Sequence, residues 1–255
     1  MIILNGNLTE DGRIFADSGF YFGRGLFETM LVKKNPLFLK EHLDRINEGL
    51  KVLNIGKSIT EKEILDAVKK LNCNDKILKL VVTEQNTIFT CRVNKYSPEQ
   101  YKRGFKLKIA SIKRNPYSKI TYLKSLNYVE NILEHDQCVS EGYDEALFLN
   151  TEDFIAEGSM SNVFFVKDNK IYTPSLNCGI LNGTIRKYII SNYKVIEGKF
   201  TKDFIKNSQE IFLTNSVMGI MKVSSICDKK FDEFAAVNKI AQKYNNDIIQ
   251  YCHHK

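Results

Sequence analysis

The chain has 255 residues, and its 37 Lys and Arg against 30 Asp and Glu give a formal net charge of +7. With 26% charged and 43% hydrophobic residues, it has the composition of a folded globular protein rather than a disordered one. No apolar run approaches the roughly 20 residues of a membrane-spanning helix, and the first residues lack the basic start of a signal peptide, so we expect a cytoplasmic protein with no membrane partner.

The first half of the chain alternates strand and helix patterns. Strands are predicted at residues 2–4 and in the second half of residues 21–32. Apolar residues at helical spacing predict a helix over 39–53, and Thr60 with Glu63 forms the capping box of a second helix that ends near residue 71. Further strands are predicted at 78–83, 87–93 and 107–112. We assign residues 1–112 to an N-terminal α/β domain.

The polar stretch 113–119, which contains Pro116, is the predicted linker. Beyond it we assign residues 120–255 to a C-terminal domain. Its predicted helices cover 126–139, 184–192, 202–207 and 231–251, and its predicted strands cover 145–149, 162–166, 170–173 and 210–213. Strands and helices mixed in both halves predict an α/β protein, of mixed α+β character, with two domains.

The charge and the cysteines narrow the possible partners. Basic residues are scattered along the chain without a dense block, so we expect no nucleic-acid partner. The modest excess of basic over acidic residues suits a pocket for anionic small molecules. No two cysteines have the spacing of metal ligands, so no metal site is predicted. In a reducing compartment all six are expected to be free thiols, mostly small core residues: Cys73, Cys91, Cys138, Cys178, Cys227 and Cys252.

Two residues could carry chemistry with a carbonyl compound. Lys124 follows the mainly apolar stretch 120–123, and a desolvated lysine has a lowered pKa and can attack a carbonyl to form a Schiff base. The alternative is a surface lysine whose stem covers apolar neighbours. Glu157 precedes Gly158 and Ser159, small residues that would let its carboxylate approach a ring closely. The alternative there is an ordinary turn before a strand.

Three segments could bind an anion. Gly183 precedes a predicted helix that starts at Thr184, and the backbone N–H groups of a helix start favour a phosphate. The hydroxyl-rich turn 214–219 follows a strand and could offer further donors. Arg45 lies on the same helix face as His42 and could hold a phosphate bidentately, although a surface ion pair is the alternative. A lysine, a carboxylate and several anion donors together meet the needs of pyridoxal phosphate chemistry.

The chain resembles the class IV aminotransferases, which are the fold-type IV pyridoxal phosphate enzymes. The order of the motifs over nearly the whole length is more specific than any single motif. The matching segments are 22–28, 42–45, 124–127, 142–146, 156–159, 161–164, 172–174 and 179–183.

This resemblance implies a role for individual residues. Lys124 would be the catalytic residue, which holds pyridoxal 5'-phosphate and moves protons, and Glu157 would pair with the pyridine nitrogen. Tyr128 would meet the ring hydroxyl. The phosphate would be bound by Arg45, Thr184, Ile185, Asn215 and Ser216, and the substrate would be contacted by Phe27, Thr29 and Arg92. Since residues 83–92 lack the glycine- and arginine-rich sequence of many relatives, Arg92 either replaces their substrate-binding arginine or is a strand-surface residue.

The resemblance also implies the fold and the activity. It implies two α/β domains like those of D-amino acid aminotransferase, with the cofactor in the cleft between them, usually in a homodimer. Asn182 and the form of segment 214–221 favour a lyase that converts 4-amino-4-deoxychorismate to pyruvate and 4-aminobenzoate for folate synthesis. The first alternative is a branched-chain or D-amino acid aminotransferase. The second is a binding protein on a retired catalytic fold, against which Lys124, Glu157 and Arg45 argue because all three are present.

Overall fold

The structure is a computed structural model that describes the backbone of residues 1–253 and the side chains of residues 1–251. The chain forms two compact units. The first consists of Met1–Lys95, Leu123–Tyr128 and the chain from Ile248 onward, and the second consists of Tyr96–Tyr122 and Val129–Asp247. Over the described residues, no helix combines the length and the apolar character that a membrane crossing requires.

The first unit contains a five-stranded antiparallel sheet and three helices. The helices are α1 (Ser18–Phe22), α2 (Leu39–Val52) and α3 (Glu61–Lys70), and α3 has the predicted capping box of Thr60 and Glu63. The strands are β1 (Ile2–Leu4), β2 (Asn7–Thr9), β3 (Gly25–Leu31), β4 (Ile77–Thr83) and β5 (Thr87–Arg92), in the spatial order β2-β1-β5-β4-β3.

Strand β3 separates the core of the first unit from a more open face of the sheet. Leu26 and Met30 point to the core, where Ile46 and Leu50 of α2 are buried. A side chain at Gly49 would come within 2.6 Å of Leu26, so this glycine lets α2 lie close against β3. Because side chains alternate along a strand, Phe27 and Thr29 lie on the opposite face and are only half-buried.

The segment Leu123–Tyr128 belongs to the first unit because it pairs with β3. The N–H of Phe27 donates to the carbonyl of Lys124, and the N–H of Leu126 donates to the carbonyl of Gly25, both at 2.9 Å. Leu26 and Ser125 form an antiparallel bridge between these bonds. Lys124 therefore belongs to the first unit and not to the predicted C-terminal domain over 120–255.

The second unit is built around a mixed nine-stranded sheet in the order β11-β10-β9-β12-β13-β6-β7-β8, with β14 paired to β13. Its helices are α4 (Pro98–Arg103), α5 (Val129–Ser140), α6 (Thr184–Asn192), α7 (Asp203–Lys206) and α8 (Ala235–His253), whose last residues from Ile248 belong to the first unit. Its strands are β6 (Phe105–Arg114), β7 (Glu145–Asn150), β8 (Ile155–Gly158), β9 (Asn162–Lys167), β10 (Lys170–Pro174), β11 (Val195–Gly198), β12 (Glu210–Asn215), β13 (Gly219–Ile226) and β14 (Lys229–Lys230). Short 3₁₀ turns occur at Lys119–Tyr122 and Leu176–Cys178.

The two observed units differ from the predicted domains, 1–112 and 120–255 with a linker at 113–119, chiefly in the position of β6. It lies between β13 and β7 and pairs in parallel with both, so it is part of the second sheet. It also continues to Arg114, into the predicted linker. Parallel partners are distant in sequence, which is why the local pattern of residues 105–112 did not indicate the sheet to which they belong.

The expectation of six free thiols is wrong for two of the cysteines. Cys73, just beyond α3, and Cys91, on β5, form a disulfide with their Cα atoms 5.9 Å apart. The fold of the first unit brings the two cysteines together. Their separation of 18 residues in the sequence does not predict this pairing. Cys138 and Cys178 are buried free thiols, and Cys227 is an exposed one. The side chain of Cys252 lies outside the described residues.

Candidate functional site

Lys124 lies against two aromatic rings of the first unit. Its Nζ atom is 4.3 Å from the centroid of the Phe27 ring and 5.4 Å from that of Tyr128. The two rings meet edge to face with centroids 5.1 Å apart. Residues 120–123 predict an apolar setting for Lys124, but its aromatic contacts come from β3 and from Tyr128, because the pairing with β3 places Lys124 beside Phe27.

Arg45 forms a buried ion pair rather than the surface pair that was the alternative at the sequence level. Its Nε and Nη2 atoms donate to the two carboxylate oxygens of Glu28 at 2.7 and 2.6 Å. His42 Nδ1 lies 2.6 Å from Glu28 Oε2. Positions 42 and 45 share one face of α2, and Glu28 points toward that helix from β3. The side chain of Glu28 is 1% exposed and that of Arg45 is 13% exposed.

Burial and the neighbouring charges determine the protonation states of Glu28 and His42. Burial tends to raise the pKa of Glu28, but the Arg45 charge and the hydrogen bonds from Arg45 and His42 outweigh it and hold that pKa well below its usual range. Burial lowers the pKa of His42 despite the nearby Glu28 carboxylate. His42 is therefore neutral at pH 7 and donates its Nδ1 proton to Glu28. This assignment agrees with a buried Nε2 atom that has no hydrogen-bond partner among the described residues.

Glu157 is buried at the end of β8 in the second unit, with an exposed fraction of 5%. Its Oε2 atom accepts from the backbone N–H of Leu181 at 3.0 Å and from Asn162 Nδ2 at 3.2 Å. Its Oε1 atom is 3.2 Å from Nη2 of Arg114, whose guanidinium lies over the Phe148 ring. A cation thus offsets the burial of the carboxylate. The turn that was the alternative is present at residues 159–161, before β9, but Glu157 itself lies in β8.

The start of α6 is linked to Glu157 through Asn162. Thr184 and Ile185 are buried in the first turn of α6, and no side chain caps this helix end at Gly183. Asn162 Nδ2 also donates to the carbonyl of Leu181 at 2.8 Å. A Cβ atom at Gly183 would come within 2.1 Å of Asn162 Oδ1, so only glycine fits there without moving Asn162.

The turn after β12 contains the last two predicted phosphate ligands. Asn215 Oδ1 accepts from the N–H groups of Val217 and Met218 at 2.9 and 2.8 Å, and its Nδ2 atom donates to the Met160 carbonyl at 3.2 Å. The Asn215 side chain therefore shapes the turn. Ser216 is half-buried in the same turn. The buried Thr214 Oγ1 has no hydrogen-bond partner within the described chain.

The three predicted substrate residues lie on the open face of the first sheet. Phe27 contacts Lys124, and Thr29 follows it two residues along β3, opposite Lys79 of β4. Arg92 is exposed at the end of β5, two strands away from β3 in the sheet. Glu28, Arg114 and Lys79 are not among the predicted site residues. The ionic partners Glu28 and Arg114 lie 17 and 43 residues from Arg45 and Glu157, so no local motif could reveal them.

Comparisons with known proteins place the chain in a family. The sequence profile of the family described as amino-transferase class IV matches residues 25–226. An aminodeoxychorismate lyase of Bacillus subtilis (strain 168) is 30% identical over 285 residues, which cover 100% of this chain and 97% of that protein. A putative branched-chain-amino-acid aminotransferase of Methanocaldococcus jannaschii is also 30% identical, over 88% of this chain and 87% of that protein.

The fold comparison gives the same result. The crystal structure of a putative 4-amino-4-deoxychorismate lyase from Legionella pneumophila superposes with a TM-score of 0.85 and 27% identity, over 93% of this chain and 96% of that one. The predicted mixed α/β fold of the fold-type IV enzymes is confirmed. From the profile match and the full-length relatives, the chain belongs to the class IV aminotransferase family.

Proposed function

We propose that the protein is a pyridoxal phosphate-dependent lyase that converts 4-amino-4-deoxychorismate to pyruvate and 4-aminobenzoate. The observation that carries the proposal is the match to a lyase over 100% of this chain and 97% of the relative. Asn182 and the form of segment 214–221, which favour the lyase over the aminotransferases at the sequence level, add support. The alternative is a branched-chain or D-amino acid aminotransferase, which a relative of equal identity supports.

The residues present fit pyridoxal phosphate. Lys124 supplies an amine beside two aromatic rings, and Glu157 supplies a buried carboxylate paired with a cation. The uncapped start of α6 and the buried Thr214 Oγ1 supply donors with no protein acceptor in the part of the chain described. A phosphate would satisfy these donors, since helix N-termini bind anions.

The bound cofactor would act as an electron sink for the substrate carbon that carries the amine. Lys124 would hold the cofactor through Nζ, and the same atom would take the proton from the substrate carbon that carries the amine. Glu157 would keep the proton on the pyridine nitrogen, and Arg114 would keep the Glu157 carboxylate charged. Loss of pyruvate then makes the substrate ring aromatic, which drives the reaction.

Arg45 would bind the phosphate, and Glu28 would orient it for that purpose. Because Glu28 engages Nε and Nη2 together, the guanidinium plane cannot rotate without breaking two charge-assisted hydrogen bonds. Tyr128 would contact the ring hydroxyl, and the backbone N–H groups of Thr184, Ile185 and the turn at Asn215 and Ser216 would complete the phosphate site. We also propose that the protein acts as a homodimer, which sedimentation would detect as twice the chain mass of 29.4 kDa.

The substitution Lys124→Ala tests the central role. It should abolish both the visible absorbance band that forms with pyridoxal phosphate and the release of pyruvate from 4-amino-4-deoxychorismate, because no amine remains to bond to the cofactor. Lys119→Ala, at an exposed lysine of the preceding stretch, should leave both unchanged. Unchanged turnover in Lys124→Ala would refute the role of this residue.

The same assay separates the rival functions. Amino transfer to 2-oxoglutarate by the wild type, without release of pyruvate from 4-amino-4-deoxychorismate, would establish the aminotransferase instead of the lyase. A protein that stays colourless in pyridoxal phosphate would favour a binding protein on the same fold.

A further inference from the structure

Lys79 occupies the same sheet face as the residues around Lys124. On β4 it lies directly opposite Thr29 of β3 on one side and Thr90 of β5 on the other. Arg92 follows Thr90 by two residues on β5 and so lies diagonally from Lys79 on this face. Diagonal neighbours in a sheet are within reach of long side chains. The two cations and the two threonines form what we term the β4–β5 basic patch (Thr29, Lys79, Thr90 and Arg92).

One aromatic ring connects this patch to Lys124. The Nζ atom of Lys79 lies 5.2 Å from the centroid of Phe27, the ring that also receives Lys124 Nζ at 4.3 Å. The Nζ atoms of both lysines therefore lie against a single six-membered ring. A substrate that carries an amine and a carboxylate at opposite ends of one six-membered ring could reach both lysines.

The patch holds two cations without an anion. Among the described residues, neither Lys79 nor Arg92 forms an ion pair with a carboxylate, whereas Lys33, next to β3, pairs with Asp75. The protein atoms packed around Lys79 and the neighbouring Arg92 charge both lower the pKa of Lys79. Two neighbouring cations repel each other, and a bound carboxylate would remove that cost.

We propose that Lys79, together with Arg92, binds the ring carboxylate of the substrate that reacts at Lys124. The site would thereby select six-membered-ring amino acids whose carboxylate lies across the ring from the amine. This inference rests on the proposed function only in that Lys124 is the reacting amine. Lys79 would act as a specificity residue: it would contribute to substrate binding through its charge and would take no part in proton transfer.

The test compares two ligands that differ only in charge. 4-Aminobenzoate has an amine and a carboxylate across one ring, and 4-aminobenzamide replaces the carboxylate with a neutral amide of similar shape. Titration calorimetry with the pyridoxal phosphate-loaded enzyme should show tighter binding of 4-aminobenzoate to the wild type. Lys79→Met should weaken 4-aminobenzoate binding by about ten- to a hundredfold, the typical effect of losing a charge-assisted hydrogen bond, and leave 4-aminobenzamide unchanged.

Two variants control the experiment. Lys62→Met removes an exposed lysine of α3 and should keep the wild-type preference for the carboxylate, and Lys79→Arg should restore most of it. If Lys79→Met keeps the preference, or loses affinity for both ligands equally, the inference is overturned. The outcome is separate from that of the lyase proposal, because a preference that depends on Lys79 would stand even if no pyruvate were released.

Discussion

At the scale of single residues, the motifs indicated Lys124, Glu157 and Arg45 as candidates for contact with a cofactor, but not the residues that pair with them. Lys124 and Glu157 stand in recognisable segments. Glu28 and Arg114 pair with Arg45 and Glu157, but their segments do not single them out: Glu28 is the last residue of the matching segment 22–28, and Arg114 lies in the predicted linker. Ionic partners across a fold depend on which strands become neighbours, and this information is not local in the sequence.

The neutral, buried His42 predicts a dependence of stability on pH. Because its pKa is lowered in the folded protein, the unfolded chain binds a proton more readily, and stability falls as the pH drops below the ordinary histidine pKa of 6.5. The stability from the lowered pKa of Glu28 is lost only at lower pH, below 4.5.

Urea unfolding at pH 8 and at pH 5.5 should therefore show a greater loss for the wild type than for His42→Gln. The glutamine can donate to Glu28 but does not titrate. The difference can reach about 1.4 kcal/mol for each pH unit below 6.5. Equal losses in the two proteins would show that His42 is not held neutral.

At the scale of elements, prediction followed the strength of the local pattern. Helices α2 and α3 were predicted closely because apolar residues recur at 3.6-residue spacing and a capping box marks one start. Strand β13 was missed, although it has eight residues, because two serines and a lysine interrupt its apolar pattern. Strand β13 is stabilised by pairing with β12 and β6, and its own sequence does not indicate these partners.

The close approach at the start of α6 predicts the effect of Gly183→Ala. The backbone there has φ −65°, which alanine adopts without strain, so any effect must come from the contact with Asn162. Displacing Asn162 would break its hydrogen bonds to Glu157 and Leu181, at a cost of about 1–3 kcal/mol.

We expect lower stability in urea and about tenfold weaker binding of pyridoxal phosphate by the Gly183→Ala protein. Gly56→Ala is the matched control, because a Cβ atom at Gly56 meets nothing within 4 Å. Wild-type affinity and stability in Gly183→Ala would show that Asn162 has room to move.

At the scale of the whole molecule, the chain passes repeatedly between its two units. The first unit is assembled from three separate stretches, of which the shortest, Leu123–Tyr128, carries Lys124. Domain boundaries predicted from the sequence divide the chain into continuous segments. They could not assign this short stretch to the first unit, because residues of the second unit lie on both sides of it. The family resemblance gave the fold class correctly because it depends on the order of motifs, not on the boundaries of domains.

This arrangement predicts that residues 1–112 do not fold as an isolated fragment. The fragment would lack the segment that pairs with β3 and would expose Phe105 and Leu107, which are buried in the second unit. We expect no cooperative transition in its thermal unfolding followed by circular dichroism, whereas the full chain should show one. A cooperative transition in the fragment would mean that β1–β5 and their helices are sufficient.

The disulfide between Cys73 and Cys91 makes the stability of the first unit depend on the redox conditions around the protein. Closing a loop of 18 residues disfavours the unfolded ensemble by about 3 kcal/mol. That is more than a hundredfold in the ratio of native to denatured molecules. Thiol reductants would cleave this bond and remove its contribution to the stability of the first unit.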